Sequence, residues 1–316
     1  MRRLFSRAGP KRDDSNFSGR VCMKRVLITG ANKGIGLATV AAILEQHPDA
    51  AVIMGSRDRA RGTEAVGALL GERPDWESRL ELLQIDVSSR QSVIAARDSL
   101  VERHGSEPAP LYGLVNNAGI GLGSNEMETV LDVNVFGAKR TCDAFLPLIQ
   151  PAGRIVNVAS ASGPNFVSRC SPERQAFFQD DSIEWSTLES FIKEAVAAQR
   201  TSGDPGESGL GSLDAYGFSK ACLNLYTLLL ARENPHLYVN SCTPGYIETD
   251  LTRPQAEGRG VDPADLGMKQ PADGTVAILF LLFGEPRGSG HYYGSDARRS
   301  PLDRYRAPGD PEYAGR

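Results

Sequence analysis

A glycine-rich turn between a short apolar strand and a helix is the feature that most constrains the fold of this chain. Residues 24–30 (KRVLITG) are predicted to form the strand, and the helix is predicted over residues 37–46. Glycines at such a turn permit a tight bend and let the backbone approach a pyrophosphate, at which the helix N–H groups point. The turn therefore predicts a dinucleotide site formed by Gly30, Asn32, Lys33, Gly34, Ile35 and Gly36.

Strand and helix patterns alternate through the rest of the chain. Further strands are predicted at residues 50–55, 81–87, 111–115, 154–160, 238–241 and 291–293, with helices between them that include 59–72, 90–104, 126–145 and 275–283. Repeated strand–helix units give a parallel sheet covered on both faces. The sequence thus predicts one α/β domain over residues 24–294, a Rossmann-type doubly wound parallel sheet with ligand sites at the carboxyl ends of its strands.

The end of the second strand indicates which dinucleotide binds. An acidic residue about 20 positions after the glycines would bind the ribose 2′-hydroxyl of NAD. Here Ser56 holds that place and Arg57 follows it, with Arg59, Arg61 and Lys33 nearby. An unopposed cluster of cations suits a 2′-phosphate, through charge-assisted and often bidentate bonds. NADPH is therefore predicted, with Arg57 and Arg61 near its phosphate, and a solvated basic turn is the alternative.

Other strand ends carry further candidate residues. Asp86 and Val87 are well placed to contact adenine, and the run Asn117, Ala118 and Gly119 is expected to pack under the cofactor. Asn134 lies among apolar neighbours in a predicted helix, so it is either a satisfied core amide or part of a hydrogen-bonded relay. Ser160 ends another strand with a hydroxyl.

Tyr216 and Lys220 stand four residues apart at the head of an apolar helix. Residues with this spacing share a helix face, so the phenol and the ammonium are expected to point into one space. A nearby cation favours the phenolate and lowers the pKa of the phenol. Such a pair is suited to exchanging a proton with a carbonyl or alcohol oxygen.

These motifs occur in the order found in the short-chain dehydrogenase/reductase family, which the chain resembles over about residues 24–294. The resemblance implies Tyr216 as acid/base, Ser160 as the group that polarises the carbonyl, and Asn134 as support for a water relay. It implies that Lys220 holds the nicotinamide ribose and lowers the pKa of Tyr216. It also implies cofactor contacts from the segment that contains Pro244, Gly245, Ile247 and Thr249.

One departure from the common family pattern is a long stretch between Ser160 and Tyr216, with extra residues at about 164–212. Residues 186–189 (STLE) form a capping-box signature, and apolar residues recur behind it at helical spacing at Leu188, Phe191, Ile192, Ala195 and Val196. A folded helical insertion before the tyrosine helix is expected. In length and place it resembles that of the monomeric NADPH-dependent carbonyl reductase subgroup, which implies a monomer.

Composition excludes several function classes. A net charge of −4 over 316 residues does not indicate the excess of basic residues that binding to nucleic acid or to an anionic membrane requires. The five cysteines are scattered, so neither a metal site nor a disulfide framework is predicted. Residues 1–23 are arginine-rich and are expected to be a disordered leader of a cytoplasmic protein, with a mitochondrial transit peptide as the alternative. Residues 295–316 are expected to form a polar surface tail.

The sequence as a whole predicts NADPH-dependent reduction of a ketone, aldehyde or quinone, with a small carbonyl compound as the only partner. One alternative is the same chemistry run as alcohol oxidation with an NAD(P) cofactor. Another is a nucleotide-binding regulatory protein without turnover. The complete set of Asn134, Ser160, Tyr216 and Lys220 favours the reductase.

Overall fold

The computed structural model describes residues 23–121, 126–202, 209–211 and 214–315. The expected leader lies outside the described residues, apart from Met23. The strands are β1 (Lys24–Ile28), β2 (Ala50–Ser56), β3 (Leu80–Gln84), β4 (Leu111–Asn116), β5 (Ile149–Val158), β6 (Tyr238–Cys242), β7 (His291–Tyr293) and β8 (Arg299–Ser300). The helices are α1 (Gly34–Gln46), α2 (Arg59–Glu72), α3 (Arg90–His104), α4 (Met127–Leu131), α5 (Gly137–Phe145), α6 (Ser162–Val167), α7 (Pro172–Phe177), α8 (Trp185–Ser202), α9 (Ala215–Glu233), α10 (Arg253–Glu257) and α11 (Val276–Phe283).

All eight strands form one sheet in the order β3-β2-β1-β4-β5-β6-β7-β8. The first seven run parallel, and β8 pairs antiparallel with β7. The strand order reverses between β1 and β4, where an open α/β sheet forms its ligand crevice at the carboxyl ends. Ile28 of β1 pairs with Met54 on one side and Val115 on the other, so the three strands end close together at that crevice. The predicted fold class is confirmed.

Apolar side chains cover both faces of the sheet because successive residues of a strand point to opposite sides. In β1, Val26 and Ile28 join a buried cluster with α1 and α11, whereas Leu27 joins the cluster on the other face. That second cluster contains residues of α3, α5 and α9 together with residues of the insertion. No helix in the described part of the chain is long and apolar enough to cross a membrane.

Two predicted elements differ in the structure. The helix expected over residues 126–145 is interrupted between α4 and α5 by a π-helical segment, Asp132–Phe136, with Asn134 at its centre. Such segments insert an extra residue into a helix and often occur at functional sites. The strand expected over residues 81–87 ends at Gln84, so Asp86 and Val87 lie in the following loop.

The chain after Gly294 is more than a surface tail. Residues Arg299–Ser300 form β8, and the side chains of Ser300 and Arg306 are buried. The expected domain boundary at residue 294 therefore lies before the last strand of the sheet. The physical reason is that polar side chains in this segment form hydrogen bonds and an ion pair with one another. The segment can therefore pack against the sheet without an apolar sequence pattern.

The insertion is helical, as predicted, and forms α6, α7 and α8. Leu188, Phe191, Ile192 and Ala195 are buried, and Val196 packs against the same core. The capping signature differs in detail, because α8 begins at Trp185 and so contains Ser186 in its first turn.

An aromatic cluster joins the insertion to α9. Phe218 of α9 lies with its ring centroid 5.5 Å from that of Phe166 in α6 and 5.9 Å from that of Phe191 in α8. Phe178, directly after α7, completes the cluster at 6.3 Å from Phe218 and 5.8 Å from Phe191. Aromatic pairs at such separations are favourable beyond the area they bury. The insertion is thereby attached to the helix that carries Tyr216.

We predict that Phe178→Ala lowers the free energy of unfolding by about 3–5 kcal/mol, because it leaves a cavity among four other rings. Urea denaturation followed by circular dichroism measures the change. The control is Ile94→Ala, at an exposed position, which should stay within about 0.5 kcal/mol of the parent. Equal effects of the two substitutions would show that the insertion does not contribute to the core.

Candidate active site

A cavity of about 540 Å³ opens at the carboxyl ends of β4, β5 and β6. The glycine turn, the head of α9 and the loop after β6 also line it. Most of the predicted catalytic residues and several predicted cofactor residues meet there: Ile35, Asn117, Gly119, Ser160, Tyr216, Lys220, Pro244, Gly245, Ile247 and Thr249. Ala118 lies beside this set, against Gly30.

The glycines of the turn are required by close backbone contacts. Gly30 has a φ of 63°, and a Cβ there would lie 2.8 Å from the Cα of Ala118. A Cβ on Gly36 would lie 2.7 Å from the carbonyl oxygen of Gly30 and 2.6 Å from Nδ2 of Asn117. Since real Cβ atoms do not approach this closely, only glycine allows the turn to fold against β4.

Thr29 and Asn117 connect the turn to the strand beside it. The backbone N–H groups of Asn117 and Ala118 both donate to Thr29 Oγ1 at 3.1 Å. Asn117 Nδ2 donates in return to the carbonyl oxygens of Thr29 at 2.9 Å and Gly30 at 3.1 Å. Thr29 was not among the predicted site residues, although its place directly before the first glycine is a signal for this role.

The head of α9 presents Tyr216 and Lys220 to the cavity. Asp214 caps the helix by accepting a hydrogen bond from the backbone N–H of Tyr216 at 3.1 Å. Lys220 is buried, and its Nζ donates to the carbonyl oxygen of Val158 at 2.8 Å. Nζ also lies 5.6 Å from the centroid of the Tyr216 ring. The ammonium therefore connects α9 to the end of β5.

Burial controls the titration of both groups. It raises the pKa of Tyr216 to about 12, against the opposing effect of a hydrogen bond with Ser160. It lowers the pKa of Lys220 to about 8. The expectation that Lys220 lowers the pKa of Tyr216 is wrong for this geometry, because Nζ is directed at Val158 and burial dominates the phenol. At neutral pH Tyr216 holds its proton.

Ser160 follows β5 and shares the cavity with Tyr216. Its Oγ accepts a hydrogen bond from the backbone N–H of Ser162 at 3.1 Å and lies 3.3 Å from Oγ of Ser162. The local turn thus fixes the hydroxyl beside the phenol. Ser162 was not predicted, and it lines the same cavity.

Asn134 is a satisfied core amide, one of the two possibilities that the sequence left open. Its Oδ1 accepts from the backbone N–H of Ile120 at 2.9 Å, and its Nδ2 donates to the carbonyl oxygen of Ile120 at 2.9 Å. Nδ2 also donates to Oγ of Ser219 at 3.0 Å. Both amide hydrogens are therefore used within the protein, and the side chain connects the π-helical segment to α9.

The basic residues near the end of β2 are not all unopposed, which corrects the expectation from sequence. Lys33 pairs with Asp250 at 2.5 Å, and Arg61 lies 3.7 Å from Asp58. Asp250 is 217 positions from Lys33, so no local pattern could reveal this pair. Among the described residues, no carboxylate pairs with the exposed guanidinium of Arg57.

The residues predicted to contact adenine lie outside the cavity lining. Oδ1 of Asp86 accepts hydrogen bonds from the backbone N–H and the hydroxyl of Ser88, at 3.0 and 2.7 Å. Val87 is buried against Gly137, where a Cβ would lie 2.9 Å from Val87 Cγ2. Asn32 precedes Lys33 in the glycine turn and is half-buried. Among the described residues, no group of His, Cys, Asp or Glu could hold a metal ion.

Comparison with solved structures shows the same fold. Salutaridine reductase from Papaver somniferum matches with a TM-score of 0.70 at 23% identity, covering 85% of this chain and 99% of that one. An NADPH-bound carbonyl reductase from chicken fatty liver matches with a TM-score of 0.62 at 22% identity, covering 88% of this chain and 98% of that one.

Sequence comparison identifies more similar relatives. Carbonyl reductase (NADPH) 3 of Rattus norvegicus is 33% identical over 247 residues, which cover 74% of this chain and 85% of that protein. Carbonyl reductase (NADPH) 1 of Homo sapiens is 31% identical over 277 residues, which cover 84% and 92%. A family model described as short chain dehydrogenase matches residues 24–171. On this evidence the chain belongs to the short chain dehydrogenase family.

Proposed function

We propose that the protein reduces a carbonyl compound to the alcohol with NADPH, with Tyr216 as the proton donor. The observation that carries this proposal is the meeting of Ser160, Tyr216 and Lys220 in one cavity beside the glycine turn. The two curated relatives named above are carbonyl reductases that use NADPH according to their names. Their similarity supports the same class of reaction here.

The residues present fit a nicotinamide dinucleotide. Gly30 and Gly36 keep the turn free of side chains, so its backbone and the N-terminus of α1 can face a pyrophosphate. Pro244, Gly245, Ile247 and Thr249 line the same cavity as Lys220, which would bind the nicotinamide ribose. Arg57 is the cation best placed for a 2′-phosphate, since Lys33 and Arg61 have acidic neighbours.

When bound, NADPH supplies a hydride, which adds to the carbonyl carbon while negative charge develops on the oxygen. Tyr216 transfers its hydroxyl proton to that oxygen, which completes the alcohol. The raised pKa of the phenol keeps this proton in place at neutral pH. Ser160 donates a hydrogen bond to the same oxygen and stabilises the developing charge.

Lys220 and Asn134 hold this arrangement in place. The bond from Lys220 to Val158 fixes α9 against β5 and keeps a donor near the cofactor ribose. Asn134 holds Ser219, and the hydroxyl of Ser219 donates to the carbonyl oxygen of Tyr216 at 2.8 Å. Because its amide hydrogens are both used, any relay water at this position would bind to the main chain rather than to the side chain.

We also propose that the protein is a monomer. The ring centroid of Trp185 in the insertion lies 5.7 Å from that of Phe136 and 5.4 Å from that of Tyr226. Trp185 therefore covers part of the π-helical segment and part of α9. Surface that is covered within one chain is not free for a symmetric contact with a second copy. The four described cysteines are buried and unpaired, which suits the reducing cytoplasm as the proposed location.

The cofactor assignment predicts at least a tenfold preference in kcat/KM for NADPH over NADH. Hydrogen bonds to charged groups contribute about 1.5–3 kcal/mol, and about 1.4 kcal/mol corresponds to a factor of ten. Arg57→Asp should abolish or reverse the preference. Arg97→Asp makes the same charge change on α3 and should leave it intact. Equal use of both cofactors by the parent would contradict the assignment.

The proton donor is tested by Tyr216→Phe, which removes one oxygen and almost no volume. Binding of NADPH, measured by fluorescence titration, should survive, whereas kcat should fall at least about 100-fold. Tyr226→Phe is the matched control on the same helix and should retain activity. Lys220→Ala should lower both kcat and cofactor affinity. Turnover by Tyr216→Phe within a few-fold of the parent would show that another group donates the proton.

A further inference from the structure

A second cavity, of about 570 Å³, adjoins the first across the end of β5. Ser160, Ser162 and Tyr246 line both cavities, so the second cavity lies directly beside the site of proton transfer. The second cavity alone falls within the 300–1,000 Å³ of pockets that accommodate drug-sized molecules. The second cavity therefore has room for a substantial part of a substrate whose carbonyl lies at Tyr216.

The far wall of this second cavity comes from the segment after β7. Ser295, Tyr305 and Pro308 line it, together with Arg306. The ring of Tyr305 is 51% exposed, so it stands at the wall without being part of the core. The segment expected to be a polar surface tail thus forms one side of a cavity that Ser160 also lines.

An ion pair between a buried guanidinium and a partly exposed carboxylate holds this wall in position. The guanidinium of Arg306 pairs with Asp296, and its Nε donates to Oγ of Ser300 at 2.9 Å. Its Nη1 donates to the carbonyl oxygens of Ala307 at 3.1 Å and Asp310 at 2.8 Å. We call Asp296, Ser300 and Arg306 the tail clamp. Removal of one partner from a buried pair leaves an uncompensated charge, so the clamp defines one position for the residues around it.

The chemistry of the second cavity favours an uncharged, ring-bearing group. Tyr246, Tyr292 and Tyr305 present aromatic surface to it, and Pro164 and Val276 add aliphatic surface. Its charged groups balance, since Lys269 and Asp273 have opposite signs and the clamp is internally neutral. Aromatic side chains bind flat apolar groups by stacked or edge-to-face contacts.

We propose that the tail clamp positions Tyr305 as a specificity determinant, and that the second cavity takes a bulky aromatic substituent of the carbonyl substrate. The inference rests on the proposed function, because it assumes that the reacting carbonyl lies between Ser160 and Tyr216. Arg306 and Asp296 also line the cavity, but their polar groups bond to each other, to Ser300 and to the main chain, so we assign them a positioning role.

The test compares two α-diketones that differ only in their substituents, benzil with phenyl groups and biacetyl with methyl groups. In the parent, kcat/KM is measured for both with NADPH, and the ratio of benzil to biacetyl is recorded. Tyr305→Ala and Arg306→Met should each lower that ratio at least fivefold, mainly through a higher KM for benzil rather than a lower kcat. Arg304→Met, at an exposed neighbour paired with Asp303, is the control and should leave the ratio unchanged.

A binding measurement distinguishes failure of this inference from failure of the proposed reaction. Calorimetric titration of benzil into the complex with NADP⁺ should show at least fivefold weaker affinity in Tyr305→Ala and Arg306→Met, whether or not the diketones are turned over. If Arg306→Met does not fold, Tyr305→Ala alone tests the inference. Tyr305 is half exposed, so its replacement should not prevent folding. Unchanged benzil affinity and an unchanged ratio in Tyr305→Ala would overturn the inference. If the parent reduces no carbonyl compound but the two variants still bind benzil more weakly, the proposed reaction would be wrong and the proposed role of the second cavity would stand.

Discussion

The packing of Phe218 against the insertion is the contact on which the rest of the site depends. Residues 217–227 of α9 are all buried, and the rings of Phe166, Phe178 and Phe191 surround Phe218 in its first turn. A helix fixed in this way presents Tyr216 and Lys220 in one direction only. The hydrogen bond from Lys220 to Val158 then sets the distance between α9 and β5, so the hydroxyl of Ser160 comes to lie beside the phenol.

The same burial determines the protonation of the site. Burial of Lys220 and partial burial of Tyr216 disfavour the charged form of each, which raises the pKa of the phenol and lowers that of the amine. A neutral phenol at pH 7 can give a proton to a developing alkoxide, as the proposed reduction requires.

Local sequence patterns predicted the parallel sheet, the glycine turn and the helical insertion, because each depends on residues close together in the chain. They did not predict the π-helical segment around Asn134, which depends on hydrogen bonds to Ile120 and Ser219. They also missed the pairs of Lys33 with Asp250 and of Arg306 with Asp296. The partners in these pairs are far apart in the chain or lie in a polar segment, so the sequence does not distinguish them from solvent-exposed charges. The sequence therefore overestimated the net positive charge at the glycine turn and did not reveal that residues after Gly294 pack into the fold.

If one chain holds the complete site because the insertion covers α9, the active species is a single chain. Active-enzyme centrifugation measures this directly, since the sedimenting band is followed by its own consumption of NADPH during reduction of benzil. We expect the activity to sediment with the 34.0 kDa mass of one chain across micromolar and nanomolar concentrations. Activity that sediments at twice this mass, and that disappears on dilution to single chains, would contradict the account.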